Sequence, residues 1–306
     1  MIDHNWKLGL TLSLVTALMW GLLPVTTAPL IGPIDAYTIT FYRLGGGGTL
    51  MFLWIVYQKG TNVRAEFTLK NLPYLVLAVL CLSANYYFWL IGLEHTSPAT
   101  AQVMIQLAPM LLLVGSIWLF KESFNRNQLI GVLVFFSGLM LFFNEKLISI
   151  FNQLNEYSLG IFYLLIAAVT WAIYGLCQKY LLKDFGALEL IFIITMASCM
   201  IFLPFSSPEQ AFVLSPLNLG FLLFGIANTA IAYGCFTAAM HHWETPRISA
   251  TIAMVPVLTL LFAYLQQLFM PGLLPPEPIN TISIVGALVV VTGSCIAALS
   301  KKAQVQ

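Results

Sequence analysis

Residues 72–93 read LPYLVLAVLCLSANYYFWLIGL, twenty-two positions without one charged side chain. As a helix such a run spans about 33 Å, enough to cross the ~30 Å hydrocarbon core of a bilayer. Nine further apolar runs, bounded by polar or proline-rich breaks, flank it on both sides. With it they make ten candidate spans at 8–28, 36–57, 72–93, 99–120 and 128–143, then 159–181, 188–205, 217–240, 248–269 and 281–299. The spans should be helical, because lipid offers no partner to a backbone N–H or carbonyl. Barrel strands would show alternation over about ten residues, and that pattern is missing. The fold class read from the chain is therefore all-α, a polytopic integral membrane protein.

Composition agrees. Only 8% of the 306 residues are charged and 59% are hydrophobic, against about 25% charged in a soluble domain. So few charges cannot cover a water-facing surface. A net charge of +1 lacks the basic stripe that nucleic-acid binding needs. The five cysteines (Cys81, Cys177, Cys199, Cys235, Cys295) lie in or beside apolar runs with no CxxC pair, and read as small packing thiols. The first run is too long for a signal peptide's apolar segment and is followed by nine more.

Lys and Arg in the short connections set the direction of threading. With the N-terminus inside, the inner connections hold Lys7, Lys59, Arg64, Lys70, Lys121, Arg126, Lys179, Lys183, Arg247, Lys301 and Lys302. The outer ones hold Lys146 alone. Eleven against one places both termini in the cytoplasm.

The two halves, 1–146 and 147–306, resemble each other in outline. Val15-Thr-Ala-Leu-Met-Trp20-Gly21 in the first span matches Ala167-Ala-Val-Thr-Trp171-Ala172 in the sixth. Thr96-Ser97-Pro98 matches Glu244-Thr245-Pro246, Pro109 matches Pro256, and the pair Gly131 and Gly138 matches Gly286 and Gly293. Five spans per half is an odd number, so the second copy must enter the bilayer upside down. The connection Lys121-Glu-Ser-Phe-Asn-Arg126 is basic, whereas its counterpart Met270-Pro-Gly-Leu-Leu-Pro-Pro-Glu-Pro278 has no basic residue. Inverted repeats with a site near the midplane recur among secondary transporters.

The chain resembles the drug/metabolite transporter superfamily, of the EamA type, over nearly its whole length. The resemblance rests on Ala17-Leu-Met-Trp20-Gly21, on Phe41-Tyr42-Arg43, and on Gly92-Leu93-Glu94-His95-Thr96-Ser97-Pro98-Ala99. Gln106-Leu-Ala-Pro109, Phe120-Lys121-Glu122 and the Gly131 to Gly138 pair complete it. The acid corresponding to Glu122 after the ninth span is replaced here by Phe269 or Met270. The resemblance implies ten helices around a central cavity in the cell inner membrane, with export or exchange of amino acids or other metabolites.

Arg43 is the one charge well inside a span. An arginine there costs at least ~2.5–3.5 kcal/mol on insertion scales, so it should face the bundle interior or water. It reads either as an anchor for a substrate carboxylate or a gate, or as a strut bonded to backbone carbonyls. Gly45 to Gly48 follow at once and suit close helix approach or a flexible segment. Gly21 and Pro24 beside Trp20 mark a kink in the first span, with Pro109 and Pro256 acting alike in the fourth and ninth. Eleven residues are the substrate-pathway candidates: Arg43, Trp20 (where direct ligand contact is the alternative to a kink), and the midspan polar and aromatic groups Asn85, Tyr86 and Trp89, Gln102 and Gln106, Trp171 and Tyr174 (with Gln178 on the same stripe), and Asn228 and Tyr233. Each of these midspan groups reads as interhelical glue or as cavity wall. Aromatic walls with a few amides suit a small, partly apolar, zwitterionic or neutral solute.

Asp35, Glu94, Glu122, Asp184, Glu189 and Glu244 all lie near span ends, so no midspan acid offers a proton or sodium site. Glu94-His95 could titrate, which leaves exchange, weakly coupled export and proton antiport open. His241-His242 are poorly placed to chelate one metal together, and neither a metal nor a cofactor is expected. The expected partners are a small-molecule substrate and the lipid bilayer, for a monomer or homodimer. Multidrug efflux is the alternative within transport. An integral-membrane enzyme would need clustered His, Asp or Glu on facing helices, and the midspans offer none.

Overall fold

A computed structural model describes residues 5–59, 68–121, 124–146, 155–275 and 279–300. The readings placed on Arg64, Glu122, Lys301 and Lys302 fall outside them, as do the side chains of Lys59 and His241 and the end of the 270–278 connection. Twelve α-helices lie among the described residues: α1 (Trp6–Thr27), α2 (Ala36–Lys59), α3 (Leu72–Glu94), α4 (Pro98–Ile105), α5 (Leu107–Phe120), α6 (Arg126–Phe142), α7 (Glu156–Leu181), α8 (Ala187–Phe202), α9 (Pro216–His242), α10 (Thr245–Ile252), α11 (Val255–Phe269) and α12 (Thr281–Leu299). Nine segments are long and apolar enough to cross a membrane, counting α4 with α5 and α10 with α11. A further apolar helix, α6, is shorter at 17 residues. The protein is an all-α, multi-pass membrane protein.

Helix starts follow from the few polar residues available. Asn125 accepts from the Gln128 N–H while the Gln128 side chain accepts from the Asn125 N–H. Asn155 and Ser158 repeat this reciprocal arrangement at α7. Asn5, Ser97, Ser215 and Asn280 cap α1, α4, α9 and α12 through single side-chain acceptors. Each satisfies an N–H that the first helical turn leaves without a partner. Large apolar side chains such as Leu53, Trp118, Leu133, Met140 and Leu223 face outward, as a hydrocarbon surrounding requires.

The fourth span is broken at Gln106, where its N–H bonds to the Val103 carbonyl in a tight three-residue turn. Pro109 lies just beyond and has no N–H to return to the Ile105 carbonyl. The ninth span breaks in the same way at Ala253–Met254, two residues before Pro256, with Met254 N–H on the Thr251 carbonyl. By contrast, α1 continues through Pro24 to Thr27. There the Thr259 hydroxyl of α11 donates to the Gly21 carbonyl at 2.8 Å.

Helices α6 and α12 form the most extensive packed pair. A Cβ built on Gly131 or Gly138 would sit 2.5 Å from the backbone nitrogen of Ala297 or Val290, and Gly286 and Gly293 meet the backbone of α6 in return. Gly131 lies against Gly293 and Gly138 against Gly286, a descending register that makes the helices antiparallel. The Asn280 side chain donates to Asn144 at one end of the seam, and the Asn125 side chain donates to the Ser300 carbonyl at the other. Helices α2 and α8 are also antiparallel, with Gly45 on Cys199 and Gly48 on Met196. Gly46 and Gly47 rest on Ile226 and Thr229 of α9, so the glycine run serves close approach to two neighbours at once. All five cysteines are free thiols, three of them buried.

Gly138→Ala and Gly286→Ala each push a methyl into facing backbone, an overpacking cost of about 1–3 kcal/mol. Both should lower the melting temperature of the detergent-solubilised protein. Gly220→Ala, which meets nothing within 4 Å, should leave it unaltered. Identical melting curves for all three would remove the seam from its place in the fold.

Candidate functional site

Where the two broken spans meet, the Gln106 side chain donates its amide N–H to the Ala253 carbonyl at 3.1 Å. One bond thus ties the two breaks together. Beside this contact lies a cavity of about 170 Å3. Trp20 and Leu23 of α1, Arg43 of α2, and Asn85, Tyr86 and Trp89 of α3 line one side. Gln102, Ile105, Gln106, Ala108 and Pro109 of the fourth span, Trp171 of α7, Asn228 and Tyr233 of α9, and Ile252 and Val255 of the ninth span complete it.

Ten of the eleven substrate-pathway candidates border this one space. The exception is Tyr174, which is 2% exposed and packed among Leu44, Leu82 and Leu181 in a neighbouring apolar cluster. It stands one turn from Trp171, with ring centroids 6.5 Å apart, and supports the wall from behind. Gln178, on the same stripe, does not reach the cavity. Among the four helix-bending candidates only Pro109 borders it. Gly21, Pro24 and Pro256 are buried next to it, with Gly21 held close to Leu258 of α11. Leu23, Ile105, Ala108, Ile252 and Val255 gave no signal in the sequence, because an aliphatic residue on a cavity wall looks like one facing lipid.

Two asparagines clamp helices across the bundle. Asn85 of α3 donates to the Ala167 carbonyl of α7 at 2.9 Å, and Asn228 of α9 donates to the Met19 carbonyl of α1 at 2.6 Å. Each such bond is worth about 0.6–2 kcal/mol in a membrane bundle. The donors of Asn85, Asn228 and Gln106 therefore hold the walls together. Their amide oxygens accept no hydrogen bond from the described residues.

Arg43 is 4% exposed, and its Nε and Nη1 have no hydrogen-bond partner among the described residues. The strut reading required backbone carbonyls at these atoms. The guanidinium carbon instead lies 4.8 Å from the Tyr86 ring centre and 5.6 Å from that of Trp89, while the stem passes alongside Gly225 of α9. Cation–π contacts of this kind contribute up to ~2 kcal/mol when desolvated. Bringing a charge out of water costs several kcal/mol even after relaxation. The rings offset part of that cost. Trp20 stands edge-on to Tyr233, with ring centroids 5.6 Å apart.

None of the described residues lining this cavity is acidic. Asp35 caps α2 through the Thr38 N–H and hydroxyl, Asp184 accepts from Asn71, and Glu244 pairs with Arg247 at 3.0 Å on the surface. No group of three His, Cys, Asp or Glu among the described residues is arranged to hold a metal ion. A larger cleft of about 880 Å3 lies further along the same helices. It is lined by Ala28, Glu94, Pro98, Lys146, Tyr157, Val257, Gln266 and Gln267 among others.

Known proteins resemble this chain along nearly its whole length. The sequence profile of the EamA-like transporter family matches residues 7–144 and 158–299. An uncharacterized transporter of Haemophilus influenzae is 30% identical over 296 residues, covering 96% of each chain. The uncharacterized inner membrane transporter YhbE of Escherichia coli K12 is 31% identical over 300 residues, covering 96% of this chain and 92% of its own. A protein of known crystal structure shares the fold at a TM-score of 0.65 and 18% identity, covering 97% of this chain and 99% of that one. Matched by the family profile along both halves, the chain belongs to the EamA-like transporter family.

Proposed function

We propose that the protein is a secondary transporter of the inner membrane that exports or exchanges amino acids or related small amphipathic solutes by alternating access. The observation that carries this reading is the central cavity, built between two broken spans and lined by aromatic and amide side chains from both halves of the chain. Broken helices around a midplane site are the recurrent device by which a transporter bends between two openings. The Gly21 and Pro24 region, Pro109 and Pro256 supply the bends, and the residues bordering the cavity form the solute pathway.

In this reading the halves 1–146 and 147–306 are inverted copies of five spans each, ten in all. Five contacts support the inversion. Helices α6 and α12 hold equivalent places in the two copies, as do α2 and α8, and both pairs run antiparallel. An in-plane two-fold axis demands that of equivalent helices. The packing of α3 on α7 is matched by α9 on α1, each clamped by an asparagine. Gln106 lies 147 residues from its partner Ala253, the same offset that relates Pro109 to Pro256. The charge pattern puts both termini in the cytoplasm, and the larger cleft then faces outward. Leu23, Gln102 and Val255 border the inner cavity, while Ala28, Pro98 and Val257 border the cleft about one turn further along. That succession marks the outer route.

Proteoliposome uptake over amino acids, nucleosides and quaternary amines, with and without an imposed pH gradient, tests the function. Gln106→Ala should cut the rate at least about tenfold while the protein still inserts and elutes normally, because the two breaks lose their shared bond. Undiminished uptake in that variant would reject the proposed bending site. Topology has a separate test in a cysteine-free background. Pro275→Cys should react with an impermeant maleimide from outside intact cells, and Lys7→Cys only after permeabilisation. The opposite pattern would end the inverted reading.

A further inference from the structure

The central cavity is two-signed. On one wall stands Arg43, buried, with two guanidinium nitrogens lacking any acceptor among the described residues. Elsewhere stand the amide oxygens of Asn85, Asn228 and Gln106, whose own N–H groups are engaged by the Ala167, Met19 and Ala253 carbonyls. An arginine offers only donors, and its planar fork matches a carboxylate. The bare amide oxygens offer only acceptors. The aromatic rings of Trp20 and Trp89 line the same space and suit an apolar stem.

We propose that the cavity recognises a small carboxylate that also carries a hydrogen-bond donor, its carboxylate on Arg43 and its donor, an ammonium or hydroxyl, on the amide oxygens. This inference rests on the cavity being the transport site. It narrows the substrate class in a direction that composition cannot give. A permanent cation finds no acid on the described wall and meets the like charge of Arg43. A carboxamide leaves the guanidinium without a counter-charge. A simple fatty acid leaves the amide oxygens bare, and an unfilled polar group at a dry site weakens binding strongly.

The experiment measures ligand-induced thermal shifts and tryptophan fluorescence on the purified full chain in detergent. The probes are the common amino acids, their 2-hydroxy-acid counterparts, the matching carboxamides, the matching acids without the donor, and choline. At least one amino or hydroxy acid should bind, with its carboxamide and its donor-free analogue weaker by about tenfold or more. Arg43→Gln should abolish the preference for acid over carboxamide, and Arg43→Lys should retain part of it. Gln102→Glu places an anion in the same cavity and should weaken acid binding while admitting choline, a gain that a misfolded protein cannot show. Carboxamides binding as well as acids, choline alone binding, no probe binding, or acid binding undiminished in Arg43→Gln would each overturn the assignment. The two readings fail separately. Uptake without acid preference rejects the recognition and keeps transport, whereas acid binding without uptake in proteoliposomes rejects transport and keeps the recognition.

Discussion

Backbone resting directly on backbone, where Gly131 meets Gly293 and Gly138 meets Gly286, is the contact from which the arrangement of the bundle follows. Lipid tails are as apolar as leucine, so helices in a membrane are not driven together by water. They associate where close packing and a few hydrogen bonds favour it. The glycines allow the close packing, and the capping residues Asn125 and Asn280 reach across to the far helix at either end. Together they fix the direction of α6 and α12 and their register. The polar centre lies between the remaining helices, to which α12 joins the pair through α10 and α11.

The distribution of polar groups makes chemical sense once that seam is set. Asp35 and Asp184 are used at helix ends, capping α2 and accepting from Asn71, where ionisation costs less than at midspan. In the middle, amides do the bracing, since an uncharged group loses less on leaving water. Their donors clamp neighbouring helices and their oxygens stay bare. Arg43 is the exception to this division, a charge in the interior with aromatic rings for company. A residue so costly to bury, and so little used for bracing, is the one to which the proposed recognition assigns the solute's carboxylate.

Much of this was legible in the chain. The charge-free run at 72–93 falls within α3, and each of the ten apolar runs corresponds to a described helix or pair of helices, with ends differing by a few residues. Polar and aromatic residues within such runs are rare enough to stand out, and ten of the eleven singled out border one cavity. Tyr174 was not separable from them, because it shares a helical stripe with Trp171 and only tertiary packing turns it into the apolar cluster behind. The breaks at Gln106 and at Ala253–Met254 were read only as proline bends. A proline shows which carbonyl is released, but not whether the chain kinks smoothly or closes a tight turn ahead of it, as it does here. At Pro24, by contrast, α1 runs on without a break. The register of the glycine seam also depends on two distant segments and cannot be read from either one.

The bond between Gln106 and Ala253 has one further consequence. Under the proposed duplication the two positions are equivalent, yet one carries an amide and the other a methyl. A perfectly repeated protein would be indifferent to which compartment it faced, its two resting states being degenerate by symmetry. Here the donor belongs to one copy only, so the bond need not survive when the copies exchange roles. An interaction of about 1 kcal/mol present in one state and missing from the other skews their occupancy roughly fivefold. In the proposed alternating cycle the departure from exact repetition would act as a bias, giving the empty protein a preferred side before any solute arrives.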